Sequence, residues 1–564
     1  MTEISKDERG MVLVIILCII AILIMLGSSN VMTSMTDLRI SSNYRLSTQA
    51  FYVAEAGAEY GYTKLREELQ VLNPTIGNIT TPTLGGYTFD TFSVAAVGTQ
   101  SAGVMGGAYE GLTAYITDYL VTSAARVSGT NASARVELLV KDNLIPIFQF
   151  GIFFEGNLEI LPGTNMTFTS AVPNGGRIHS NKNIYLNADG SSTTLSIDTR
   201  ITSAGHIIKG HLDGRSHTDG TVRIKDQNGN YQNMAVDSSD PNWTGTAMSR
   251  WGGRVQDSAM GVNALNVPVG SAEGNPRDLI GMGTDSMYEQ AGLRIVNGVA
   301  KDKDNNTIDI RYYDSTYKDS KGKLIIDTGG DAQHNVNPLA TKSFTDKREN
   351  KVVTVTEVDL AKLQKSTAAM SALNNPPAGR DPGIMYVNET NNTKSVRLVN
   401  GSSIPSAGLT VASNNPVYIK GDFNTANNPA SVMGDAVMIL SNSWDDAKSG
   451  TSNLSDRTAT NTTVKACIMA GNVATPAQGS QAYSGGAENY LRLLENWSGY
   501  TLTYSGSLVC LWESNQATGA WVYGGQVYTA PTRNWSYGVD PAHLPPGTPR
   551  VRGINKFAWK HNIQ

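Results

Sequence analysis

Four of the seven histidines fall in one stretch of the chain, and imidazole is a common zinc ligand. They are His179, His206, His211 and His217. Zinc ligands usually recur two to five residues apart in paired motifs, and these spacings fit none of those patterns. We therefore expect solvated turn residues here, and no metal centre.

Two segments rich in Asp and Asn carry oxygen atoms of the kind that calcium prefers. Asp302-Lys-Asp304-Asn-Asn306 begins like a calcium-binding loop, but it lacks the Gly of the sharp turn and the Glu at position twelve. Asp226-Gln-Asn-Gly-Asn230 has the composition of a hairpin turn. Calcium is thus the one cofactor that the sequence leaves open, and no residue is assigned to it.

Catalytic motifs are missing from the sequence. There is no GxSxG nucleophile elbow, HExxH helix, phosphate-binding loop or dinucleotide fingerprint. The sequence therefore predicts a protein that is not an enzyme. A glycan-active β-helix is the alternative, and it would rest on analogy between folds alone.

Three cysteines allow at most one disulfide. Cys18 lies in an apolar segment, whereas Cys467 and Cys510 each lie in a strand-like run near the C-terminus. In an oxidising compartment the latter two could form a disulfide worth about 2–4 kcal/mol. Two buried, unpaired thiols are the alternative, because sequence separation does not fix side-chain geometry.

The composition is that of a turn-rich β protein. Of 564 residues, 17% are charged and 56 are Gly, and the net charge is −4. A chain of this length suits two to four domains. The absence of a basic field argues against nucleic-acid binding.

The N-terminus sets the class of protein. Ten mostly polar residues ending in Arg9-Gly10 precede sixteen apolar residues, 11–26 (MVLVIILCIIAILIML). A secretory signal peptide cut near Gly27-Ser28-Ser29 is one interpretation. A leader cut before the apolar run, so that the helix is retained, is the other. A lipoprotein signal is disfavoured because no small residue directly precedes Cys18.

The sequence continues as a helix beyond the apolar run, which favours retention. No proline occurs before Pro74, and apolar residues recur every three or four positions after Val31. We predict one helix over residues 11–70, about 90 Å long, with residues 11–30 spanning a membrane. Small residues that permit close helix packing follow at Ala50, Ala54, Gly57, Ala58 and Gly61.

Two motifs together carry a family resemblance. Glu8-Arg9-Gly10 with the apolar run, and the segment AFYVAEAGAEY at residues 50–60, resemble the N-terminal domain of PilX-type type IV pilus assembly proteins, which are minor pilins. The resemblance covers roughly residues 5–70. It implies cleavage by prepilin peptidase between Gly10 and Met11, and N-methylation of Met11. It also implies other pilins and the pilus assembly machinery as partners, with the inner membrane and then the pilus or cell surface as location.

One position departs from the major-pilin pattern. Major pilins carry a glutamate five residues into the mature chain, and here that position is Ile15. A subunit without this carboxylate lacks a charge partner in the low-dielectric filament core. The departure predicts a sparse initiating or tip subunit. The tip pseudopilin of a type II secretion system is an alternative that the sequence does not separate from it.

The predicted fold class is α+β: a long N-terminal helix on a small antiparallel sheet, followed by a large, mainly β region. Short strands recurring every 20–25 residues after residue 147 suggest β-helix-like rungs, with a plain sandwich as competitor. The predicted divisions are a leader at 1–10, the helix at 11–70, a pilin-like β head at 71–146, a β-rich region at 147–440 with a polar insertion at 211–400, and an aromatic-rich β region at 441–564. Residues 71–110 are predicted to be loop-like before a hairpin at 112–141, and residues 356–373 are the insertion's helix candidate.

Tryptophan is concentrated at the C-terminus. Five of the eight lie in the last seventy residues: Trp497, Trp512, Trp521, Trp535 and Trp559. They are predicted to form the core of a turn-rich domain. The alternative is an exposed carbohydrate-binding or adhesive surface, on a surface-anchored adhesin that uses a pilin-like export signal.

Overall fold

The structure is a computed structural model that describes residues 7–72, 74–173, 175–214, 219–269, 274–316, 318, 323, 334–473, 485–519, 521 and 527–563. Two units make up the described chain. We call residues 7–146 together with residues 550–563 the helix–sheet module, and residues 147–549 the solenoid.

One unbroken helix, α1 (Asp7–Glu68), forms the N-terminus. Threonine hydroxyls in its polar stretches donate to the carbonyl four residues earlier, as Thr33 does to Ser29 at 3.0 Å. These bonds satisfy polar groups without interrupting the helix. The single helix predicted over residues 11–70 is confirmed, with its end two residues earlier than expected.

Four antiparallel strands complete the module. The first three are β1 (Tyr87–Val104), β2 (Thr113–Val127) and β3 (Ser133–Pro146). The fourth, which we call the C-terminal strand (Arg550–Ile563), pairs with β3 at one edge of the sheet. The predicted hairpin is therefore confirmed. The loop predicted for residues 71–110 is wrong over β1, where Phe89 and Phe92 face α1.

The solenoid begins directly after β3. Its first stretch consists of β4 (Phe150–Phe154), β5 (Leu158–Ile160), β6 (Met166–Ser170), β7 (Arg177–Ser180), β8 (Ile184–Leu186), β9 (Thr194–Ile197), β10 (Ile201–Ser203), β11 (Ile207–Lys209), β12 (Thr221–Lys225), β13 (Tyr231–Asn233) and β14 (Val255–Gln256). Each turn contributes one strand to each of three sheets, and successive turns pair in parallel. Ile178, for example, lies between Ile152 and Ile201.

The second stretch contains β15 (Leu293–Val296), β16 (Val299–Lys301), β17 (Tyr312–Tyr313), β18 (Asn335–Val336), β19 (Leu339–Asp346), β20 (Lys351–Asp359), β21 (Ile384–Asn388), β22 (Lys394–Val399), β23 (Leu409–Ala412), β24 (Val417–Lys420), β25 (Ala430–Gly434), β26 (Val437–Leu440), β27 (Thr462–Lys465), β28 (Cys467–Ala470), β29 (Arg492–Leu493), β30 (Thr501–Ser505), β31 (Leu508–Cys510) and β32 (Thr532–Tyr537). Parallel pairs again stack the turns, as β21 on β23 and β23 on β25. The β-helix-like alternative is confirmed over the sandwich.

The order of the turns differs from the order of the chain. The largest sheet runs β14-β10-β7-β4-β31-β28-β25-β23-β21-β15-β16. The chain therefore enters at the middle and builds to one end. It crosses back along residues 257–269 and 274–292, and then winds from the far end until β31 reaches β4. The crossover contains the short helix α3 (Met287–Gln290).

This order corrects two predicted divisions. Residues 211–400 are not an insertion, because β12, β14, β15, β21 and β22 within them belong to the stacked sheets. No boundary separates residues 441–564, because β31 and β32 pair with β4 and β6 of the first turn. The C-terminal segment closes the solenoid that the first turn opened.

Helices cover both ends of the solenoid. At one end α2 (Trp243–Trp251) lies beside β14 and buries Trp243 and Trp251. At the other end α4 (Leu360–Leu363) lies beside β20, and α5 (Thr367–Leu373) lies beside β15. The helix predicted over 356–373 is wrong in its first part, since Thr356 lies in β20 and Ser366 caps α5. Covered ends protect the unpaired edge strands from other chains.

Candidate functional site

The first half of α1 has no cover within the described chain. The large apolar side chains of residues 11–26 are exposed to between 47% and 71% of their surface. An 18-residue window of this helix has a mean hydropathy of 3.2, and none of it is buried. Its length and composition match a membrane span of about 20 residues. Gly10 and Met11, the predicted leader junction, both lie inside α1.

The second half of α1 lies on the module's own sheet. Ala50, Ala54 and Ala58 are buried, and so are Gly57 and Gly61, which lie before and after Ala58. These predicted packing residues share one face of the helix and form a core with β2 and β3. The same helix thus changes from bare to packed at about residue 46.

Two glycines set how closely the helix approaches the sheet. A Cβ atom at Gly57 would lie 2.5 Å from the Phe89 ring and would also clash with Ser123. A Cβ atom at Gly61 would lie 2.6 Å from a Val121 methyl group. Neither position leaves room for a side chain. Each glycine costs about 1 kcal/mol of helix propensity, and this cost accompanies the close packing of the helix on the sheet.

A buried arginine of the C-terminal strand, Arg552, connects that strand to β3 and to the end of α1. Arg552 Nε lies 3.0 Å from Asp142 Oδ1, and both side chains are almost fully buried. Arg552 also donates to the carbonyls of Leu69 and Val71, the latter at 3.0 Å. A cation at the C-terminus of a helix satisfies its last carbonyls and complements its dipole. Burial raises the pKa of Asp142 to about 6, although Arg552 opposes the shift.

The crossover of the solenoid meets this junction. Leu72 donates its amide to Val269 at 3.1 Å, and the backbones of Asn266 and Arg552 exchange two hydrogen bonds. Helix, C-terminal strand and crossover are therefore held at one point. This point couples the helix mechanically to the solenoid.

The loop between β1 and β2 makes a second connection. Tyr109 is buried in it and donates to the carbonyl of Asn263 at 2.6 Å. Arg177 of β7 donates to the carbonyl of Glu110 at 2.9 Å and to that of Ala108. Burial lowers the pKa of this arginine to about 9. Module and solenoid are thus fixed to each other at two points.

Comparison with known proteins bears on the helix. Residues 9–59 match the family model described as PilX N-terminal. Over these residues the chain is type IV pilin-like. No curated protein matches it. One solved structure that does match is the competence-associated pilin ComZ from Thermus thermophilus, at 11% identity over 92% of this chain and 98% of that chain, with a TM-score of 0.27. At that score no role or element is carried over.

Of the two alternatives left open for Cys467 and Cys510, the structure has the buried, unpaired thiols and not the disulfide. Cys467 and Cys510 are both free and buried, and they lie on the paired strands β28 and β31. Cys467 faces the crossover with Met469, whereas Cys510 faces the solenoid interior with Leu508. Side chains on opposite faces of one sheet cannot bond, and burial raises the pKa of Cys510 to about 12.

The described members of the histidine group do not form a cluster, and His179 is buried where a solvated turn residue was expected. His179 is fully buried between Thr202 and Asn181, with ring nitrogens 3.0 Å from each. Burial lowers its pKa to about 3. His206 is exposed on another turn, and His217 lies outside the described residues. Among the described residues no group of His, Cys, Asp or Glu is placed to hold a metal ion.

The two Asp-rich segments form turns. Asp226 accepts from the amides of Asn228 and Asn230, both at 2.9 Å, in the predicted hairpin between β12 and β13. Asp302 accepts from the amides of Asp304 and Asn306, also at 2.9 Å. These carboxylates are engaged by their own loops.

Most of the C-terminal tryptophans are core residues. Trp497, Trp512 and Trp535 are exposed to 7% or less, which confirms the core interpretation for them. Trp521 is partly buried against the same core. Trp559 is the exception, at 47% exposed, and it lies on the C-terminal strand of the module. Sequence reasoning missed this placement, because nothing in the local pattern showed that the last strand joins the first sheet.

Proposed function

We propose that the protein is a non-enzymatic minor pilin, a type IV pilus assembly protein that initiates the filament or sits at its tip. The observation that carries the proposal is the bare apolar half of a PilX-like helix, which continues without a break into a packed half. The solenoid then serves as a large exported β-rich head.

The mechanism is an exchange of surroundings around one helix. Before assembly, lipid covers residues 11–26 and holds the subunit in the inner membrane as a single-pass protein. During assembly the helices of neighbouring pilins replace the lipid, so little apolar surface meets water at any step. Prepilin peptidase would first cut between Gly10 and Met11, with N-methylation of Met11.

Two features support a sparse position over the filament shaft. Residues 11–36 contain no Asp or Glu, so Ile15 offers no carboxylate to a neighbour's N-terminal amine. A solenoid of about 400 residues would also crowd a regular helical lattice. Both features suit a subunit with few neighbours. The proposed partners are other pilins, the assembly machinery and prepilin peptidase.

The mature N-terminus tests the first part of the proposal. Mass spectrometry of protein from the native cell should find a methylated Met11 as the first residue. A mature chain that starts near residue 30 would mean an ordinary secreted protein and would end the proposal.

Deletion of residues 11–26 tests the second part. The variant should be found in the soluble fraction and be absent from sheared pili. Limited proteolysis should show that its solenoid is still folded. Unchanged amounts in the pilus fraction would contradict assembly through the helix. Association with a secretion apparatus in place of pili would favour the type II pseudopilin alternative.

A further inference from the structure

The three longest sheets of the solenoid differ in what their outer faces carry. The outer face of the eleven-stranded sheet is apolar, and residues such as Phe153 and Met469 are covered there by the crossover and by the loop between β1 and β2. The outer face of the six-stranded sheet, β19-β20-β22-β24-β26-β29, is also apolar, with Phe344 and Tyr418 packed beside Trp444. The seven-stranded sheet, β13-β12-β9-β6-β32-β30-β27, is the exception, because its outer face is polar.

Alternation along each strand places small polar side chains on this outer face, which we call the hydroxyl face. In β30, Leu502 and Tyr504 are fully buried in the solenoid's core, whereas Thr501, Thr503 and Ser505 are partly exposed. The strands β32 and β6 alternate in the same way. Because successive side chains of a strand point to opposite faces of its sheet, the apolar residues face inward and the hydroxyl groups face outward.

The outward side chains form rows that run across the strands. The strands from β27 to β9 pair in parallel without a register shift, so equivalent positions stay aligned. Neighbours in a row are about 4.8 Å apart, and successive rows are about 6.6 Å apart, since these are the separation of paired strands and the length of two strand residues. The row that we call the central row consists of Thr463, Thr503, Asn534, Thr167 and Ser196.

Most of the central row is not engaged by the protein itself. Thr167 and Asn534 are exposed and Thr503 is partly exposed, and the side chains of all three make no hydrogen bond to another described residue. Ser196, at one end of the row, differs because it accepts from Arg223 at 2.8 Å. The hydroxyl and amide groups in the middle of the row are therefore available to a ligand.

The middle of the hydroxyl face carries no charge. Lys465 lies at its β27 end, and Lys225 pairs with Asp198 at 2.6 Å at its β12 end. In the three strands between, β30, β32 and β6, the one charged residue is Arg533, which points inward and donates to the carbonyl of Glu488. A neutral ligand therefore suits this face better than a polyanion.

Rows of donors and acceptors suit a ligand whose own hydroxyl groups recur at a similar interval. Each Thr or Ser hydroxyl and each Asn amide offers both a donor and an acceptor. In an extended chain of β-1,4-linked sugars, flat rings follow one another at close to the separation of paired strands and carry hydroxyl groups along both edges. Because each contact on an open face is weak, a polymer that spans several strands gains from making many contacts at once.

We propose that the hydroxyl face binds a neutral, β-1,4-linked polysaccharide that lies along the central row, across the strands. The inference goes beyond the proposed function, because it assigns a ligand to the exported head. It is tested on purified protein, so its outcome is independent of whether the chain assembles into pili.

Co-sedimentation with insoluble polysaccharides tests the ligand class. The full chain, purified in detergent, should co-sediment with cellulose or chitin powder, which are neutral β-1,4-linked polymers. It should not co-sediment with cross-linked dextran, a neutral α-linked polymer. Failure to bind either cellulose or chitin would overturn the proposal.

Removal of hydroxyl groups tests the central row. Thr503→Val combined with Thr167→Val keeps the shape and the strand propensity of both side chains, and it should raise the half-saturating polysaccharide concentration at least five-fold. Thr88→Val combined with Thr91→Val, at two exposed threonines of β1, is the matched control and should change it less than two-fold. Equal effects of the two pairs would contradict binding along the central row.

A long side chain in the middle of the row tests contact with the face. Thr503→Lys should lower binding at least ten-fold, because a lysine there stands between the polymer and the neighbouring hydroxyl groups. Thr341→Lys, at an exposed position of β19, should leave binding unchanged. Thermal unfolding of each variant shows whether the solenoid is intact, and the valine pair decides the outcome if Thr503→Lys unfolds.

Two other ligands would be recognised by the same measurements. Binding to alginate, an acidic polysaccharide, without binding to cellulose or chitin would place the interaction at the charged ends of the face and overturn the proposal. Inhibition of ice growth without polysaccharide binding would show that the rows match ordered water, and it would overturn the proposal as well.

Discussion

The helix–sheet module and the solenoid solve the problem of burial differently. The solenoid buries most of its apolar residues between its stacked sheets, covers both ends, and pairs several of its buried charges internally. Arg397, for example, binds Glu357 and Asp446, and Arg492 binds Glu349 at 2.7 Å. The module leaves half of its helix bare and borrows its last strand from the far end of the chain. The solenoid therefore covers most of its own apolar surface, whereas half of the module's helix stays uncovered within the described chain.

Removing the borrowed strand would be the strongest test of that difference. Deleting residues 550–563 takes away the edge of the sheet and the Arg552 cation at the end of α1. We expect the module to lose at least about 5 kcal/mol and to unfold, because several buried contacts disappear together. Limited proteolysis should cut within residues 74–127 and leave the solenoid intact.

A shorter truncation provides the control for the deletion. Removing residues 562–564 takes away an exposed end and should change the stability of the module by less than about 1 kcal/mol. If the module resists proteolysis equally well with and without residues 550–563, the sheet is stable with three strands alone.

A cavity in the cap should affect only the solenoid. Trp251→Ala empties a fully buried position in α2 and should cost about 3–5 kcal/mol. Met248→Ala, on the exposed side of the same helix, should stay within about 0.5 kcal/mol. Both losses of stability can be measured by thermal unfolding, with proteolysis of each unit as the readout. A matching loss in the module would mean that the two units unfold as one.

Overpacking the helix should affect only the module. Gly57→Ala gains about 1 kcal/mol of helix propensity but forces a contact with Phe89, and overpacking costs about 1–3 kcal/mol. We expect a net loss of about 1 kcal/mol in module stability by hydrogen exchange. Gly27→Ala, which meets no atom within 4 Å, should lose nothing. A Gly57→Ala variant more stable than the wild type would mean that Phe89 and the sheet shift away from the added methyl group at little cost.

The smallest expected effect is a difference in pH dependence. Burial raises the pKa of Glu495 in the solenoid to about 7 and that of Asp142 in the module to about 6. A carboxyl group whose pKa is raised on folding destabilises the folded state above that pKa, and the penalty is relieved as pH falls through it.

Between pH 7.5 and 6.5 the solenoid should therefore gain about 0.5–1 kcal/mol, and the module less than about 0.3 kcal/mol. Hydrogen exchange of each unit at the two pH values measures the difference. Glu495→Gln should remove this pH dependence of the solenoid's stability, because an amide does not titrate. The amide oxygen can still accept a hydrogen bond from Ser441. Glu67→Gln, on the exposed face of α1, should leave the pH dependence unchanged. Identical responses of the two units would assign the titration to other groups.

The sequence predicted elements well where one periodicity was sustained. The helix, the hairpin of β2 and β3, and the recurring rungs each follow from a local pattern of apolar residues. It failed where pairing depended on distant segments. Residues 211–400 looked like an insertion because their rungs are separated by long polar connections. The pairing of the cysteines stayed open because a strand pattern alone does not fix which face points inward.

The sequence by itself determined the N-terminal helix α1. Sixteen apolar residues followed by an amphipathic continuation without proline predict one unbroken helix, and its first half needs apolar surroundings. Only the tertiary structure decided that the chain enters its solenoid at the middle and returns to complete the first sheet with residues 550–563. The physical reason is that helical hydrogen bonds close within four residues, whereas a strand's partner can lie anywhere in the chain.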